Sequence, residues 1–429
     1  MKKILIITYY WPPAGGPGVQ RWLKFVKYLR EFGFEPIVYI PKNPTYPMQD
    51  DSFEKEVPHG IKILKKPIFE PYGLAGLFSK KQSKTISKGI IAAEENQSFL
   101  QKAMLFIRGN LFIPDARKFW ISPSVKFLKT YLIKEEIDQI ITTGPPHSLH
   151  LIGLNLKNEL NNLKWTADFR DPWTQIGYHK KLKLTKKSRQ KHEALEREVL
   201  NTADEIITTS FTTKAEFSKK TSKPITVITN GFDEDENSTR EAVLDDNFSI
   251  SHIGSLLSER NPTNLWKAIA ELCEEHSGFA KDLELKLAGT ISEEVIASIK
   301  AIGLEKKLKL LGYVNHKQAL AMQRNSRLLL LIEIDSKETR GIIPGKLFEY
   351  LSAKRPILAV GPKQWDVEQI LKETGAGETF NYKDKEGLKN EILKHYKAFK
   401  EQKDNSITGD IQQYSRKKLT SKLASVLKK

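Results

Sequence analysis

The sequence predicts an α/β protein of two doubly wound domains, and three observations carry that prediction. Short, β-rich apolar runs alternate with helix-period segments along almost the whole chain, the pattern of βαβ units in parallel sheets. The chain has 429 residues, more than one hydrophobic core usually holds. The alternation breaks at an acidic, polar run, EDENSTREAVLDDN (234–247), and then restarts. The predicted division is therefore 1–233 and 234–410. A final helix within 411–429 is expected to pack back towards the N-terminal domain.

The elements follow in order. Ile4–Thr8 is a compact strand, and a glycine-proline loop, WPPAGGPG (11–18), comes next. Val19, Trp22, Leu23, Val26 and Leu29 then recur at helical spacing, Gly33 stops that helix, and Pro36–Ile40 restarts a strand. This is one βαβ unit. Residues 42–125 are less regular, with an apolar segment at 99–120 read as a helix and a loop. Alternation resumes with a strand at 137–144, a helix at 150–160 and a strand at 164–169. A basic stretch, YHKKLKLTKKSRQK (178–191), follows, then a helix from HEALEREVLNTA into a strand, DEIITTS (204–210), and another, ITVITNGFD (225–233). Beyond the acidic run, strands are read in FSISHIGSL, LELKLAG, LKLLGYV, LLLLIEI and PILAV, with helices at 262–274, 292–302, 316–324 and 344–353 between them.

Composition narrows the class. The chain is 39% hydrophobic and 28% charged, which suits a globular protein rather than a disordered one. Its formal net charge of +17 favours anionic partners: nucleic acid, an anionic membrane surface or phosphorylated substrates. Cys273 is the single cysteine, so an internal disulfide and a cysteine-based zinc cluster are excluded. It fits a reducing compartment. No apolar run reaches the roughly 18–20 residues of a membrane span. The N-terminus, MKKILIITYYWPPAGG, has a signal peptide's lysines, but the apolar core ILII is too short and aromatic residues follow; it reads as a buried strand. No nucleic-acid-binding module is recognised, and nucleic acid is not an expected partner. The basic stretch 178–191 and SKKQSKTISK (79–88) read as solvated surface or as contacts to anionic lipid, with the apolar segment 99–113 beside them.

In doubly wound sheets ligands bind beyond the C-terminal strand ends, so the loops there hold the candidates. AGGPG (14–18) lets backbone approach a ligand closely and opens a helix; the plainer reading is a tight turn. It is neither a phosphate loop of the GxxxxGKS type nor the GxGxxG fingerprint. TTGPPHS (142–148) puts His147 past a strand end, as a base or a partner for a sugar hydroxyl, or as an ordinary half-buried histidine. DFRDPW (168–173) brings Asp168, Arg170 and Asp171 to another strand end, as acceptor-side contacts or a local ion pair. In HIGSLLSER, Arg260 follows a strand and Gly254; a guanidinium there suits a diphosphate, or is simply solvated. GIIPGKLFEYLSAKRP (341–356) supplies backbone N–H groups at a helix start, with Lys346 and Glu349 on one face; the plainer reading is a Pro-started surface helix.

Taken in order, these pieces resemble the retaining nucleotide-sugar glycosyltransferases of family four, which have the GT-B fold: two Rossmann-like doubly wound domains facing across a cleft. The resemblance runs over most of the chain and is densest from about 195 to 361. It rests on AGGPG, ADEIITTS, TNGFD, HIGSLLSER, LGYV and GKLFEYLSAKRPILAVG. By resemblance, Gly15 and Gly16 approach the donor phosphate and sugar, and His147 lies near the transferred sugar. Gly254 belongs to the donor site, and Arg260 offsets the leaving diphosphate. Val314 meets the nucleotide base, and Glu349 binds the ribose hydroxyls. The backbone of Gly341, Ile342, Ile343 and Gly345, with Lys346, receives the diphosphate. The family has two glutamates eight positions apart, and eight positions before Glu349 stands Gly341; a basic residue usual after the family's glycine is Ser255 here.

The implied function is a metal-independent, retaining transfer of a sugar from a nucleoside-diphosphate donor, UDP-linked, to a growing or lipid-linked glycan. The implied pathway is cell-surface polysaccharide or lipopolysaccharide assembly, at the cytoplasmic face of a membrane. No cofactor beyond the nucleotide-sugar substrate is expected, and no Asp-x-Asp metal motif is present. Two rivals stand beside it: a GT-B nucleotide-sugar 2-epimerase, and a non-catalytic member that binds nucleotide sugar or glycan.

Overall fold

A computed structural model describes residues 1–71, 99–175, 177–180, 182–233, 243–403 and 406–429. The basic segment 79–88 and residues 234–242 of the acidic run lie outside the described residues. The chain forms two compact units, Met1–Asn230 with Arg416–Lys429, and Gly231–Ser415. The sequence reading places the change at 233; the structure places it at 230, and the returning segment begins at Arg416 rather than 411.

Unit 1 is built on seven strands: β1 (Lys2–Ile7), β2 (Phe34–Pro41), β3 (Lys62–Lys66), β4 (Gln139–Gly144), β5 (Lys164–Phe169), β6 (Glu205–Thr208) and β7 (Ile225–Val227). They pair in the order β3-β2-β1-β4-β5-β6-β7, and each pair is parallel. The two-residue period of β1 explains the layers. Leu5 and Ile7 face a core with Trp165 and Phe169, while Ile4 and Ile6 face Trp22 and Leu23 of helix α1 (Pro17–Leu29). The C-terminal helix Arg416–Leu427 adds Leu419, Leu423 and Leu427 to that second layer. Two further helices matter below: α2 (Phe99–Leu111) and α3 (Ser148–Glu159).

Unit 2 carries β8 (Phe248–Ile253), β9 (Leu283–Ala288), β10 (Leu308–Gly312), β11 (Leu328–Ile332), β12 (Ile357–Gly361) and β13 (Gly377–Asn381). Their order, β10-β9-β8-β11-β12-β13, is the 3-2-1-4-5-6 order of a dinucleotide-binding sheet. Every residue of β11 is buried, because helices cover both faces of such a sheet, so an unbroken LLLLI run is what a central strand needs.

Several boundaries moved. The strand expected over 225–233 is only Ile225–Val227, and TNGFD is loop. The basic stretch 178–191 holds a short helix, Gly177–Lys180, and the start of a long one, Lys186–Thr202. The expected helix 344–353 begins at Lys346; we call it α4 (Lys346–Ala353). The two strands absent from the reading, β3 and β13, are both sheet edges.

Candidate functional site

In unit 2 the strand order reverses between β8 and β11, and the crevice at their C-terminal ends is the expected ligand position. Gly254 follows β8 directly, with φ of 131°, a conformation glycine adopts without strain. A Cβ there would sit 2.5 Å from Lys346 Nζ, so glycine also makes room for that ammonium. Lys346 reaches this place because α4 is tied to the end of β8: Ile253 N–H donates to the buried Tyr350 hydroxyl at 3.1 Å.

Beneath the ammonium lies His252, fully buried. Its Nδ1 is 2.9 Å from the Leu330 carbonyl, which can only accept, so Nδ1 carries the proton and Nε2 faces Lys346 Nζ at 3.4 Å as an acceptor. Burial, with Lys346 close by, pushes the His252 pKa down to about 3, so the lysine rests on a neutral ring. Lys346 itself is pushed down to about 8, chiefly by burial and then by Arg260, against the opposing pull of Glu333 and Glu349.

Arg260 stands in a turn after β8. Its Nε and Nη2 both lie 3.0 Å from Glu333 Oε1, and the Glu333 side chain is 3% exposed. Glu333 follows β11 and also accepts the Ile334 N–H at 2.9 Å. It is the one member of this cluster the sequence reading missed. Its signal was a single carboxylate ending an apolar run. Glu349, one turn along α4, accepts from Gln323 Nε2 at 2.8 Å. Gly254, Arg260, Lys346 and Glu349 are thus brought into one neighbourhood around Glu333.

The loop from Gly341 to Gly345 leads into α4. Of its N–H groups expected to face a diphosphate, that of Ile342 is taken by the Thr339 carbonyl at 2.9 Å. Leu347 and Phe348 are likewise satisfied by Pro344 and Gly345. The Ile342 carbonyl accepts from Trp365 Nε1 at 2.6 Å, which pins the loop. Ile343 and Gly345 are partly exposed. Val314 lies in the loop after β10, at the same end of the sheet.

In unit 1 the order reverses between β1 and β4, so the loops after these strands share one crevice. Gly15 and Gly16 lie in the first loop. Gly16, with φ of 106°, starts α1, and Gly15 N–H donates to the Met48 carbonyl at 3.0 Å. His147 lies in the second, just before α3. Its ring is 4% exposed and stacks on Trp173 with centroids 4.8 Å apart and planes 1° apart. Neither ring nitrogen has a protein partner. Burial, then the neighbouring histidines, holds its pKa well below the usual histidine value, so the ring is neutral and able to give and accept one hydrogen bond each.

The three acceptor-side candidates separate. Asp168 is fully buried and both its oxygens are engaged, by Arg21 Nη2 at 3.0 Å, Trp22 Nε1 at 2.9 Å and Thr143 Oγ1 at 2.8 Å. It anchors α1 to the sheet, and its carboxylate has no free oxygen for a substrate hydroxyl. Arg170 donates to the Pro145 carbonyl, its guanidinium 5.7 Å from the Tyr10 ring centroid; a side chain at Gly18 would collide with it. Asp171 has its carboxyl raised by burial, opposed by Arg170.

Comparison with known proteins found no matching family description and no matching curated protein. Solved structures do match. The E. coli trehalose-6-phosphate structure bound with UDP-2-fluoro glucose has a TM-score of 0.59 at 11% identity, covering 100% of this chain and 99% of that one. TarM of S. aureus, in complex with UDP and alpha-GlcNAc-glycerol, has a TM-score of 0.57 at 12% identity, covering 100% of both chains. A Listeria monocytogenes protein assigned as a UDP-N-acetylglucosamine 2-epimerase has a TM-score of 0.54 at 15% identity, covering 100% of this chain and 96% of that one. At these identities the likeness is one of fold, and the fold of this chain, a seven-stranded and a six-stranded parallel sheet each wound with helices, is that of the GT-B glycosyltransferases.

Proposed function

We propose that this protein is a retaining glycosyltransferase of the family-four type. It moves a sugar from a UDP-linked donor to a growing or lipid-linked glycan in cell-surface polysaccharide or lipopolysaccharide assembly. The observation that carries the reading is the group at the β8–β11 switch point: Gly254, Arg260, Lys346 and Glu349 around Glu333. In such a transfer the leaving group is a nucleoside diphosphate. Two fixed cations and a helix start can stabilise its developing charge without a metal. Glu349, one turn from Lys346, is placed for ribose hydroxyls, and neutral His147 suits a sugar hydroxyl. The nucleotide-sugar ligands and glycan-like compounds in the neighbouring structures agree in kind.

The direct test is calorimetry of the whole chain against UDP, GDP, ADP and NAD, with and without magnesium. Metal-independent preference for UDP is expected, and binding of none of the four would remove the basis for a transferase. Glu349→Ala should weaken UDP by about 1–3 kcal/mol, the scale of a lost charge-assisted hydrogen bond; unchanged affinity would refute its role. Turnover of the donor with no acceptor present would favour the 2-epimerase reading. Donor binding with neither transfer nor hydrolysis would favour a non-catalytic member.

The proposal includes peripheral attachment to an anionic membrane through unit 1. Phe99, Phe106, Ile107 and Leu111 are 88, 46, 44 and 60% exposed, at spacings that put them on one face of α2. Leu105 and Gly109 are on the buried side. Phe69 and Phe119, 57 and 45% exposed, continue the patch with ring centroids 5.7 Å apart, and Lys118 Nζ lies 5.2 Å from the Phe119 centroid. Exposed apolar side chains with a lysine beside them suit an anionic lipid surface. No helix among the described residues is long and apolar enough to cross a membrane. Flotation with vesicles containing anionic lipid is expected to carry the protein. The double substitution Phe106→Glu and Ile107→Glu should cut that binding at least tenfold, and equal flotation of both proteins would refute the surface.

A further inference from the structure

Unit 2 has a second concentration of positive charge that the donor reading does not use. A cavity of about 250 Å³ is lined by Lys337, Arg340, Lys363 and Lys383, with Asp335 and Asn381. They come from the end of β13 and the loops after β11, β12 and β13. The loops are braced against one another: Asn381 Nδ2 donates to Asp335 Oδ1 at 3.3 Å and to the Gly361 carbonyl at 3.4 Å, and Asp366 N–H donates to the Arg340 carbonyl at 2.9 Å.

Many lysines of this unit are paired, Lys286 with Asp245, Lys385 with Glu271 and Lys389 with Glu275 among them. None of the four cations at the cavity has an ion-pair partner among the described residues, and the Nε of Arg340 is buried with no hydrogen-bond partner. Four like charges converging on one space repel one another unless a counter-charge enters. Asp335 alone does not balance them. A water occupies about 30 Å³, so the cavity has room for a phosphate with several waters, or for a charged substituent of a sugar.

The position is informative. Along the sheet order, Val314 follows β10, Gly254 follows β8, Glu333 follows β11, and the cavity lies over the ends of β11 to β13. A donor laid base to sugar along these ends would point its sugar towards the cavity. Strands are about 4.8 Å apart, so β13 lies roughly 10 Å from β11, the scale of one sugar ring and its substituent.

We infer that this cavity is a second anion site, separate from the diphosphate cluster, and that it takes a phosphoryl or carboxylate group carried by the sugar substrate. The substrate assignment rests on the donor reading; the anion site does not. The test is calorimetry of the whole chain with inorganic phosphate in chloride buffer, with and without saturating UDP. Phosphate is expected to bind with UDP present. The double variant Arg340→Gln and Lys363→Gln should weaken phosphate at least tenfold while leaving UDP affinity within twofold. Competition between phosphate and UDP, or equal phosphate binding by the variant, would overturn the separate site. Glucose 6-phosphate should bind the wild type at least tenfold more tightly than inorganic phosphate. Equal affinity of the two would overturn the substrate assignment and leave a bare anion site. Failure of UDP to bind at all would count against the donor reading, while the phosphate titration still decides the anion site.

Discussion

Replacing Lys346 with methionine should lower turnover by about 10²–10³-fold, the range for losing one preorganised charge-stabilising group in an active site. Methionine keeps most of the stem volume, so packing beside Gly254 is little disturbed. A signature in pH follows from the lysine's environment. In the free protein its pKa is pushed down to about 8. A bound diphosphate favours the charged ammonium and raises that value. Near pH 8 the free protein carries about half a proton at this site, so UDP binding must take up about half a proton. Below about pH 6.5 the ammonium is already charged and the uptake vanishes. Calorimetry in buffers of different ionisation enthalpy measures it. The decisive quantity is the difference between wild type and Lys346→Met, because UDP's own phosphate also titrates. The same uptake in both proteins would show that Lys346 does not face the diphosphate.

Arg260→Ala should reduce turnover by about 10²-fold or more while raising the donor dissociation constant much less, because the charge it offsets grows as the bond to the leaving group breaks. The substitution has a second effect. Glu333, 3% exposed, loses its partner, and a buried unpaired carboxylate costs about 1–3 kcal/mol or more. Two readouts separate these roles. Adding Glu333→Gln to Arg260→Ala removes the stranded charge and should restore most of the lost thermal stability, but none of the lost turnover. If stability and turnover recover together, Arg260 acts only by holding Glu333. Equal activity of wild type and Arg260→Ala would dispose of the catalytic role altogether.

The fold class was legible because parallel strands buried on both faces leave continuous apolar runs, and helices between them leave a 3.6-residue period. LLLLI at 328–332 and KILII near the start are such runs. The reading failed at β3 and β13, KILKK and GETFN, for a physical reason. Edge strands are half open to water, their side chains mostly partly or fully exposed, so burial does not select apolar residues and only backbone pairing defines them. β10, also an edge and largely exposed, was found through its leucines.

The site was legible in part. Gly254, Arg260, Lys346 and Glu349 each sit next to a strand end or helix start that local pattern marks, and the tertiary fold sets them in one crevice. The partners of Asp168, Arg21 and Trp22, are 147 and 146 positions away in sequence, so nothing local shows that its oxygens are engaged in the fold.

The sequence by itself determined the alternation of strands and helices, the two sheets and the candidate loops beyond the strand ends, since these follow from side-chain period and glycine-proline punctuation. Only the tertiary structure decided what each charge faces. The Arg260–Glu333 pair spans 73 positions, the neutral His252 beneath Lys346 spans 94, and the unpaired cations around Arg340 come from three separate loops. Charge pairing and desolvation depend on distance through space, and only the folded chain sets that distance.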